Sequence, residues 1–203
     1  MTPTPAEARG QAQRQRILAA AEKCFIERGF HAASIANIAE TAQMSPGLIY
    51  RYFSSKSEII LAIIEQQLQL AREEMRQQDA RSDLAQQIAE SFTPDSGAPQ
   101  TNAALFLEIS AEATRDPAVG AAVRNSDRTL EAEFRQWLGR SVDERGYGLS
   151  AERAAGAVLV LQCLWEGMKV REARQPDFDH LALQAALRQC LPALLRPQDD
   201  PAT

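Results

Sequence analysis

Apolar residues recur every three or four positions along most of the chain, which is the spacing of one face of an α-helix. The clearest stripes are Ile17, Leu18, Ala21, Cys24 and Phe25, then Ile35, Ile38, Ala39 and Ala42, then Ile59, Ile60, Ile63, Ile64 and Leu68. Few stretches alternate β-branched and polar residues as a half-buried strand does. The pattern therefore predicts an all-α fold of about nine helices.

Residues 41–58, TAQMSPGLIYRYFSSKSE, carry the strongest signals for helix ends. Ser45 is a favourable N-cap and Pro46 suits the first helical position, so a helix of about eight residues should begin at Pro46. Ser55 and Glu58 have the spacing of a capping box for a further helix that begins near Lys56. Both ends of the short helix are thus fixed by the local sequence.

Another helix is predicted just before this stretch, from a cap at Ser34 to Ala42. A helix, a short turn and a second short helix form a helix-turn-helix, whose second helix usually enters the DNA major groove. In that second helix Ile49 and Phe53 lie four residues apart on one face and should be buried. The opposite face has no evident reason to be buried and is predicted to face DNA; it carries Gly47, Leu48 and Arg51.

The rest of the chain continues as helices. They are predicted at about 11–28, 56–76, 84–92, 102–115, 118–145, from a cap at Ser150, and at 178–195, with loops at 77–83 and 93–101. The helix after Ser150 contains AAGAVLVLQCLWEGMKV, which is apolar almost all round. More than one apolar face on the last two helices predicts a four-helix interface in a two-fold homodimer. The alternative is that both helices fill the core of a monomer.

Charge is unevenly distributed along the 203 residues, although the net charge is only -5. Residues 1–58 hold 7 Lys or Arg against 5 Asp or Glu, whereas the remainder holds 15 against 22. A mildly basic reading domain before an acidic body would favour approach of the first part to phosphate, although chance gives differences of this size. Arg9, Arg14 and Arg16 would either form a basic arm on DNA or lie on a solvated helix face.

Several classes of protein are disfavoured by the sequence. The three cysteines are odd in number and far apart, so disulfides are not expected and redox sensing is the less favoured alternative. There is no apolar run of membrane-spanning length and no secretory signal, which predicts a cytoplasmic protein without a membrane partner. His31 and His180 are the only histidines, and no phosphate loop or metal-ligand spacing is present. We therefore predict no enzyme, cofactor or metal site.

The stretch from Arg14 to Ile60, which contains RILAAAEKCFIERGF and SPGLIYRYFSSKSE, resembles the DNA-binding module of the tetracycline-repressor (TetR) family of bacterial regulators. The segment LEISAEATRDPAV, residues 107–119, also resembles a segment of many relatives. This resemblance implies a DNA-binding domain at 1–58 and a ligand-binding and dimerisation domain at 59–203. It also implies double-stranded operator DNA as the partner.

The resemblance assigns DNA contacts residue by residue. Phosphate contacts are implied for Ser34, Thr41, Ser45, Tyr50, Tyr52 and Lys56. Base contacts are implied for Asn37, Pro46, Gly47, Leu48 and Arg51. Arg51 alone can make bidentate hydrogen bonds to guanine, whereas Gly47 and Leu48 offer backbone contacts or a thymine methyl contact. Sequence readout is therefore expected to be modest.

The resemblance further implies a pocket for a small-molecule inducer in the second domain. Candidate lining residues are Phe92, Leu105, Phe106, Glu108, Ile109, Glu112, Phe134, Trp137, Gln162, Trp165, Glu166 and Met168. Carboxylates among aromatic side chains would suit a cationic or aromatic inducer, although most such stripes are simply core. A helical regulator controlled by a protein partner is the alternative. Steric repression is the commoner use of a compact dimer, so a repressor is expected.

Overall fold

The computed structural model describes residues 4–92, 102–175 and 177–196. Within these ranges the chain forms nine α-helices and no strand, which confirms the all-α prediction. They are α1 (Pro5–Arg28), α2 (Ile35–Ala42), α3 (Pro46–Tyr50), α4 (Lys56–Arg76), α5 (Leu84–Glu90), α6 (Ala103–Ala113), α7 (Pro117–Gly139), α8 (Ala151–Arg174) and α9 (His180–Leu195). None of the helices described here has both the length and the apolarity to cross a membrane. The predicted loop at 93–101 lies outside the described residues.

The helices pack into two compact units. Unit 1 comprises the described residues up to Gln67 together with Ala104–Ser126, and unit 2 comprises the described residues of Leu68–Ala103 and Asp127–Thr203. The helices α4 and α7 each begin in unit 1 and end in unit 2. The division at residue 58 into a DNA-binding and a ligand-binding domain stays a prediction about function.

Unit 1 has one continuous apolar core. Phe25 of α1, Ile49 of α3 and Ile60 of α4 are fully buried in it. Leu105 and Ile109 of α6 are buried in the same core. By packing, therefore, α6 belongs with the helix-turn-helix, although it lies about 50 residues downstream of α3.

Helix α1 begins at Pro5, six residues before the predicted start. Thr4 caps it and forms a capping box with Glu7, because Thr4 Oγ1 accepts from Glu7 N at 3.3 Å and Glu7 Oε2 accepts from Thr4 N at 2.8 Å. The first two turns are largely exposed, so no apolar stripe marks them in the sequence. The prediction followed the apolar stripe and overlooked the local capping-box signature of Thr4 and Glu7.

Two other helix ends differ from the prediction. The regular part of α3 has five residues instead of about eight, and a further turn follows in which Phe53 N donates to Ile49 O at 3.0 Å. Helix α7 ends at Gly139 instead of Arg145. The chain folds back there because Trp137 Nε1 donates to Arg145 O at 3.0 Å, while Arg145 adopts a left-handed φ of 65°. Val142 falls within the predicted range 118–145, but it follows the observed end of the helix and is exposed.

Unit 2 has its own core, built mainly from α7, α8 and α9. Trp137 and Leu138 of α7 pack there with Val158 of α8 and with Leu187 and Leu191 of α9. Unlike the caps of unit 1, several of its links join distant parts of the sequence. Arg188 of α9 donates from Nη2 to Asp83 Oδ2 at 2.7 Å, and Arg72 of α4 donates from Nε to Glu133 Oε1 of α7 at 2.6 Å.

Candidate nucleic-acid interface and its control unit

Local hydrogen bonds fix the geometry of the helix-turn-helix. Ser45 caps α3, since its Oγ accepts from Leu48 N at 3.2 Å. Gln43 ends α2 with a left-handed φ of 54°, and Met44 N donates back to Ala39 O at 2.9 Å. A left-handed residue after the last helical turn allows the chain to reverse sharply, as in a Schellman-type cap. Together these bonds set the angle at which α3 follows α2.

The two faces of α3 separate as predicted. Ile49 and Phe53 are buried in the core of unit 1, whereas Gly47 and Arg51 are exposed. Leu48 is half-buried. A Cβ added at Gly47 would meet nothing within 4 Å, so the space in front of this residue is open. The exposed face can therefore approach another surface without rearrangement.

The residues predicted to contact phosphate surround this face in different environments. Tyr50 is 56% exposed, while Tyr52 is half-buried against the core. Thr41 Oγ1 lies 3.3 Å from Cys24 Sγ in a hydrogen bond. Ser34 caps α2 and forms a reciprocal capping box with Asn37, whose Oδ1 accepts from Ser34 N at 3.0 Å. Both members of that box carried predicted DNA contacts.

Lys56, the first residue of α4, is held by the protein itself. Its ammonium donates to the carbonyl oxygens of Phe30, His31 and Ala33, at 3.1 Å for His31 and 2.9 Å for Ala33. Burial lowers the pKa of Lys56, and the nearby Glu112 carboxylate partly offsets this effect. A phosphate contact would have to replace one of these three acceptors, so the predicted contact stays a prediction.

Two arginines of α1 contact residues of the helix-turn-helix. Arg16 Nη2 donates to Ala42 O at the end of α2 at 2.8 Å, and the Arg14 guanidinium lies 5.1 Å from the centre of the Phe53 ring. A cation near a helix C-terminus is stabilising, because the last carbonyl groups carry partial negative charge. Both residues lie on α1, which is regular from Pro5 onward, and a contact of these arginines with DNA stays a prediction.

The structure distributes the twelve candidate pocket residues over both units. Five lie on α6 in unit 1: Leu105 and Ile109 are core, while Glu108 and Glu112 contact the turn between α1 and α2. Phe106 is half-buried on the same helix. In unit 2, Phe92, Trp137 and Met168 are buried, Phe134, Gln162 and Trp165 are half-buried, and Glu166 is exposed. A pocket in unit 2 can draw only on this second group.

Two charged residues of unit 2 were absent from the predicted site. Lys169 is only 1% exposed; its Nζ donates to Glu172 Oε2 at 2.9 Å and lies 4.4 Å from the centre of the Phe92 ring. Asp127 is exposed, and its pKa is raised by partial desolvation and by the charges of Glu166 and Glu131. The sequence signal for Lys169 was its place within an apolar run. No sequence signal marked Asp127, because it lies on α7 and comes near Glu166 of α8 only when the chain is folded.

A helix-turn-helix with an open reading face, joined in one chain to a separate helical unit, defines a helix-turn-helix transcription regulator. The family model for bacterial regulatory proteins of the tetR family matches residues 17–63. The model for the C-terminal domain of BetI-type transcriptional repressors matches residues 80–196. The chain therefore belongs to the TetR family of bacterial transcriptional regulators, and it is a DNA-binding protein and not an enzyme.

Relatives of known identity support this assignment. The transcriptional regulator UidR of Escherichia coli K12 is 35% identical over 136 residues, which are 67% of this chain and 69% of UidR. The solved structure of Salmonella enterica GusR has a TM-score of 0.73 at 28% identity and covers 91% of this chain and 95% of GusR. A regulator from Saccharomonospora viridis in complex with choline shares the fold, with a TM-score of 0.70 at 20% identity over 88% of this chain and 95% of its own.

Proposed function

We propose that this regulator binds a palindromic operator as a homodimer, represses transcription there, and is released when a small molecule binds unit 2. The observation that carries the proposal is the exposed face of α3, which projects Arg51 beside the open space at Gly47. A guanidinium on such a face can make bidentate hydrogen bonds to guanine in the major groove. The buried Ile49 and Phe53 hold that face in place from behind.

The phosphate contacts would flank this reading face. Ser34 lies at the start of α2, and Ser45 and Tyr50 lie at the two ends of α3. Backbone N–H groups and hydroxyl groups at helix N-termini are favourable partners for phosphate. Such contacts fix the register of the protein on DNA and carry no sequence information themselves.

The homodimer is supported by exposed apolar side chains on the last two helices. Leu159 of α8 is 61% exposed, Val160 is 51% exposed, and Leu181 of α9 is 77% exposed. Large exposed apolar side chains on a surface are typical of an interface. A two-fold pair could bury these side chains and would present two copies of α3, as a palindromic operator requires.

A cationic inducer is supported by the charges of unit 2. Asp127, Glu131 and Glu166 lie close enough for their charges to raise the pKa of Asp127. The half-buried rings of Phe134 and Trp165 belong to the same unit. Carboxylates and aromatic faces together favour cations. The choline complex of the Saccharomonospora viridis regulator makes choline the first probe to use.

Helix α4 would carry the signal between the units. It begins at Lys56, directly after the reading helix, and ends at Arg76 in unit 2. Arg72 anchors its last turns to Glu133. A rigid helix held at both ends can transfer a displacement as a rigid body.

Selection of bound duplexes from a random DNA pool tests the proposal. We expect enrichment of a two-fold symmetric sequence, with two chains per duplex in native mass spectrometry. Failure to enrich any duplex would contradict operator binding, and one chain per duplex would contradict the homodimer. Choline should raise the melting temperature of the free protein and release the selected duplex; no effect at millimolar choline would count against a cationic inducer.

The alternative regulator, controlled by a protein partner, is favoured by the same exposed side chains of α8 and α9. A partner protein could cover these side chains in place of a second copy. Native mass spectrometry of the purified protein separates the two alternatives, because a stable homodimer leaves them covered. A monomer that binds the selected duplex would favour the partner-controlled regulator.

A further inference from the structure

The turn between α1 and α2, residues 29–33, is held by a carboxylate of α6. Glu108 Oε2 accepts a hydrogen bond from Phe30 N at 2.7 Å, although 78 positions separate the two residues. Gly29 has a φ of 78°, and a Cβ placed on it would lie 3.5 Å from both carboxylate oxygens of Glu108. The turn and the carboxylate are therefore in direct contact.

A second carboxylate of α6 reaches the same turn one helical turn later. Glu112 is only 6% exposed, and its Oε2 lies 3.1 Å from Nε2 of His31, whose side chain is mostly exposed. The orientation of this pair is not that of a hydrogen bond, so Glu112 Oε2 is buried without a hydrogen-bond donor among the described residues. A buried carboxylate oxygen left in this way is costly unless a positive charge faces it. The His31 ring, when protonated, and Lys56 are the positive groups near it.

Lys56 holds the same turn by donating hydrogen bonds to the turn's carbonyl groups. Its ammonium bonds the carbonyl oxygens of Phe30, His31 and Ala33 and lies 4.6 Å from the centre of the Phe30 ring. Glu108 accepts a hydrogen bond from a backbone N–H group of the turn, whereas Lys56 donates to three of the turn's carbonyl oxygens. Ser34, the cap of α2, follows directly, and Phe53 at the end of the reading turn lies three residues before Lys56.

We propose that Glu108 and Glu112 are positioning residues for operator binding. We call these two side chains, which contact residues 29–33, the carboxylate clamp. The clamp fixes the start of α2 and the position of Lys56. A displacement of α6 then alters the register of the DNA contacts on both sides of α3. This inference rests on the proposed function, because it explains how a change in the C-terminal half of the chain reaches the reading face.

The clamp accounts for the packing of α6 with the helix-turn-helix. Leu105 and Ile109 bury one face of α6 in the core of unit 1, while Glu108 and Glu112 lie beside them toward the turn. Apolar burial keeps α6 in unit 1, and the carboxylates make its contact with the turn specific. The chain then continues through α7, which begins in unit 1 and ends in unit 2.

Substitutions at Glu108 and Glu112 test the clamp in the full-length protein. Affinity for the duplex selected by the wild-type protein should fall about 10-fold in Glu108→Ala with Glu112→Ala, which lies within the usual range of coupling between sites. The single substitution Glu108→Gln keeps an acceptor for Phe30 N, so this variant should retain most of the wild-type affinity. Glu27→Ala is the matched control, because Glu27 is an exposed glutamate of the same unit.

Hydrogen exchange supplies a readout that a merely structural role would not change. In the wild-type protein, duplex binding should slow exchange in residues 127–139, the part of α7 in unit 2. The double variant should lose this distant protection while residues 34–53 remain protected by DNA. Melting temperatures measured in parallel exclude simple unfolding.

The outcomes separate the two proposals. A wild-type protein that selects no duplex contradicts operator binding and the clamp together. A double variant that matches Glu27→Ala in affinity, or that keeps the distant protection, contradicts the clamp alone and leaves the operator proposal intact.

Discussion

The two units reach their folds by different means. In unit 1, the helix-turn-helix is defined by side chains that bond within three residues of themselves, such as Ser34 with Asn37 and Ser45 with Leu48. In unit 2, the corresponding constraints join distant segments, such as Arg188 with Asp83. Unit 2 also leaves Leu159 and Leu181 exposed. The ends of α2 and α3 are therefore specified locally, whereas unit 2, like the contact of α6 with residues 29–33 in unit 1, depends on pairs that are distant in sequence, and unit 2 also exposes an apolar surface.

The largest expected effect concerns that surface. Leu159→Asp should dissociate the proposed homodimer, because an uncompensated charge buried in an interface costs about 3 to 5 kcal/mol. Sedimentation analysis should show monomers at concentrations where the wild-type protein is dimeric. Val142→Asp is the control, since Val142 is 57% exposed but lies in the loop after α7. Dimers in both variants would remove this face from the proposed interface.

Next comes the core of unit 2. Trp137→Ala should lower the free energy of unfolding by about 3 to 5 kcal/mol, since it removes a large buried ring and leaves a cavity. Trp137→Phe should cost only about 1 kcal/mol, mainly for the lost bond to Arg145 O. Urea unfolding measures both. Equal losses in the two variants would show that the hydrogen bond, and not the ring, determines stability here.

Matched caps compare the units more directly. Ser45→Ala and Ser150→Ala each remove a cap hydroxyl, from Leu48 N and Arg153 N respectively, and each should cost about 1 kcal/mol in stability. Only Ser45→Ala should also weaken binding to the selected duplex, because Ser45 orients the reading helix. Equal duplex affinities for the two variants would contradict this difference between the units.

The smallest expected effect is an increase in stability, not a loss. Burial and the neighbouring Glu166 and Glu131 raise the pKa of Asp127 in the folded state above the ordinary value of 3.8. The ionised form is thus disfavoured by folding, so the stability present below pH 3.8 is lost as the pH rises through the folded-state pKa. Asp127→Asn should therefore raise the melting temperature slightly at pH 7, by about a few tenths of a kcal/mol in stability because solvent screens this exposed group. This gain should disappear in acid; a gain that persists there would have another cause.

The sequence was informative where structure is local. The faces of α3 and the caps at Ser45 and Ser150 could be predicted because their signals lie within a few residues. The end of α7 could not be predicted, because a bond from Trp137 to a residue beyond the helix determines it.

The same reason explains the unexpected position of Glu108. Its spacing on an apolar helix indicated a ligand pocket, but its partner Phe30 lies 78 positions away. Pairings between distant segments leave no periodic signal in a single sequence. Lys169 was overlooked for a different reason: its partner Glu172 lies only three residues away, but the apolar run around Lys169 indicated burial and not an ion pair.

The central claim is that the exposed face of α3 reads base sequence, and Arg51 tests it most directly. Random-duplex selection should be repeated with Arg51→Ala and with Tyr50→Phe. Arg51→Ala should lose the preference at one base pair in each half-site, at a cost of about 1 to 3 kcal/mol for the best duplex, while Tyr50→Phe weakens all duplexes alike. An unchanged sequence preference in Arg51→Ala would contradict the assignment of this face.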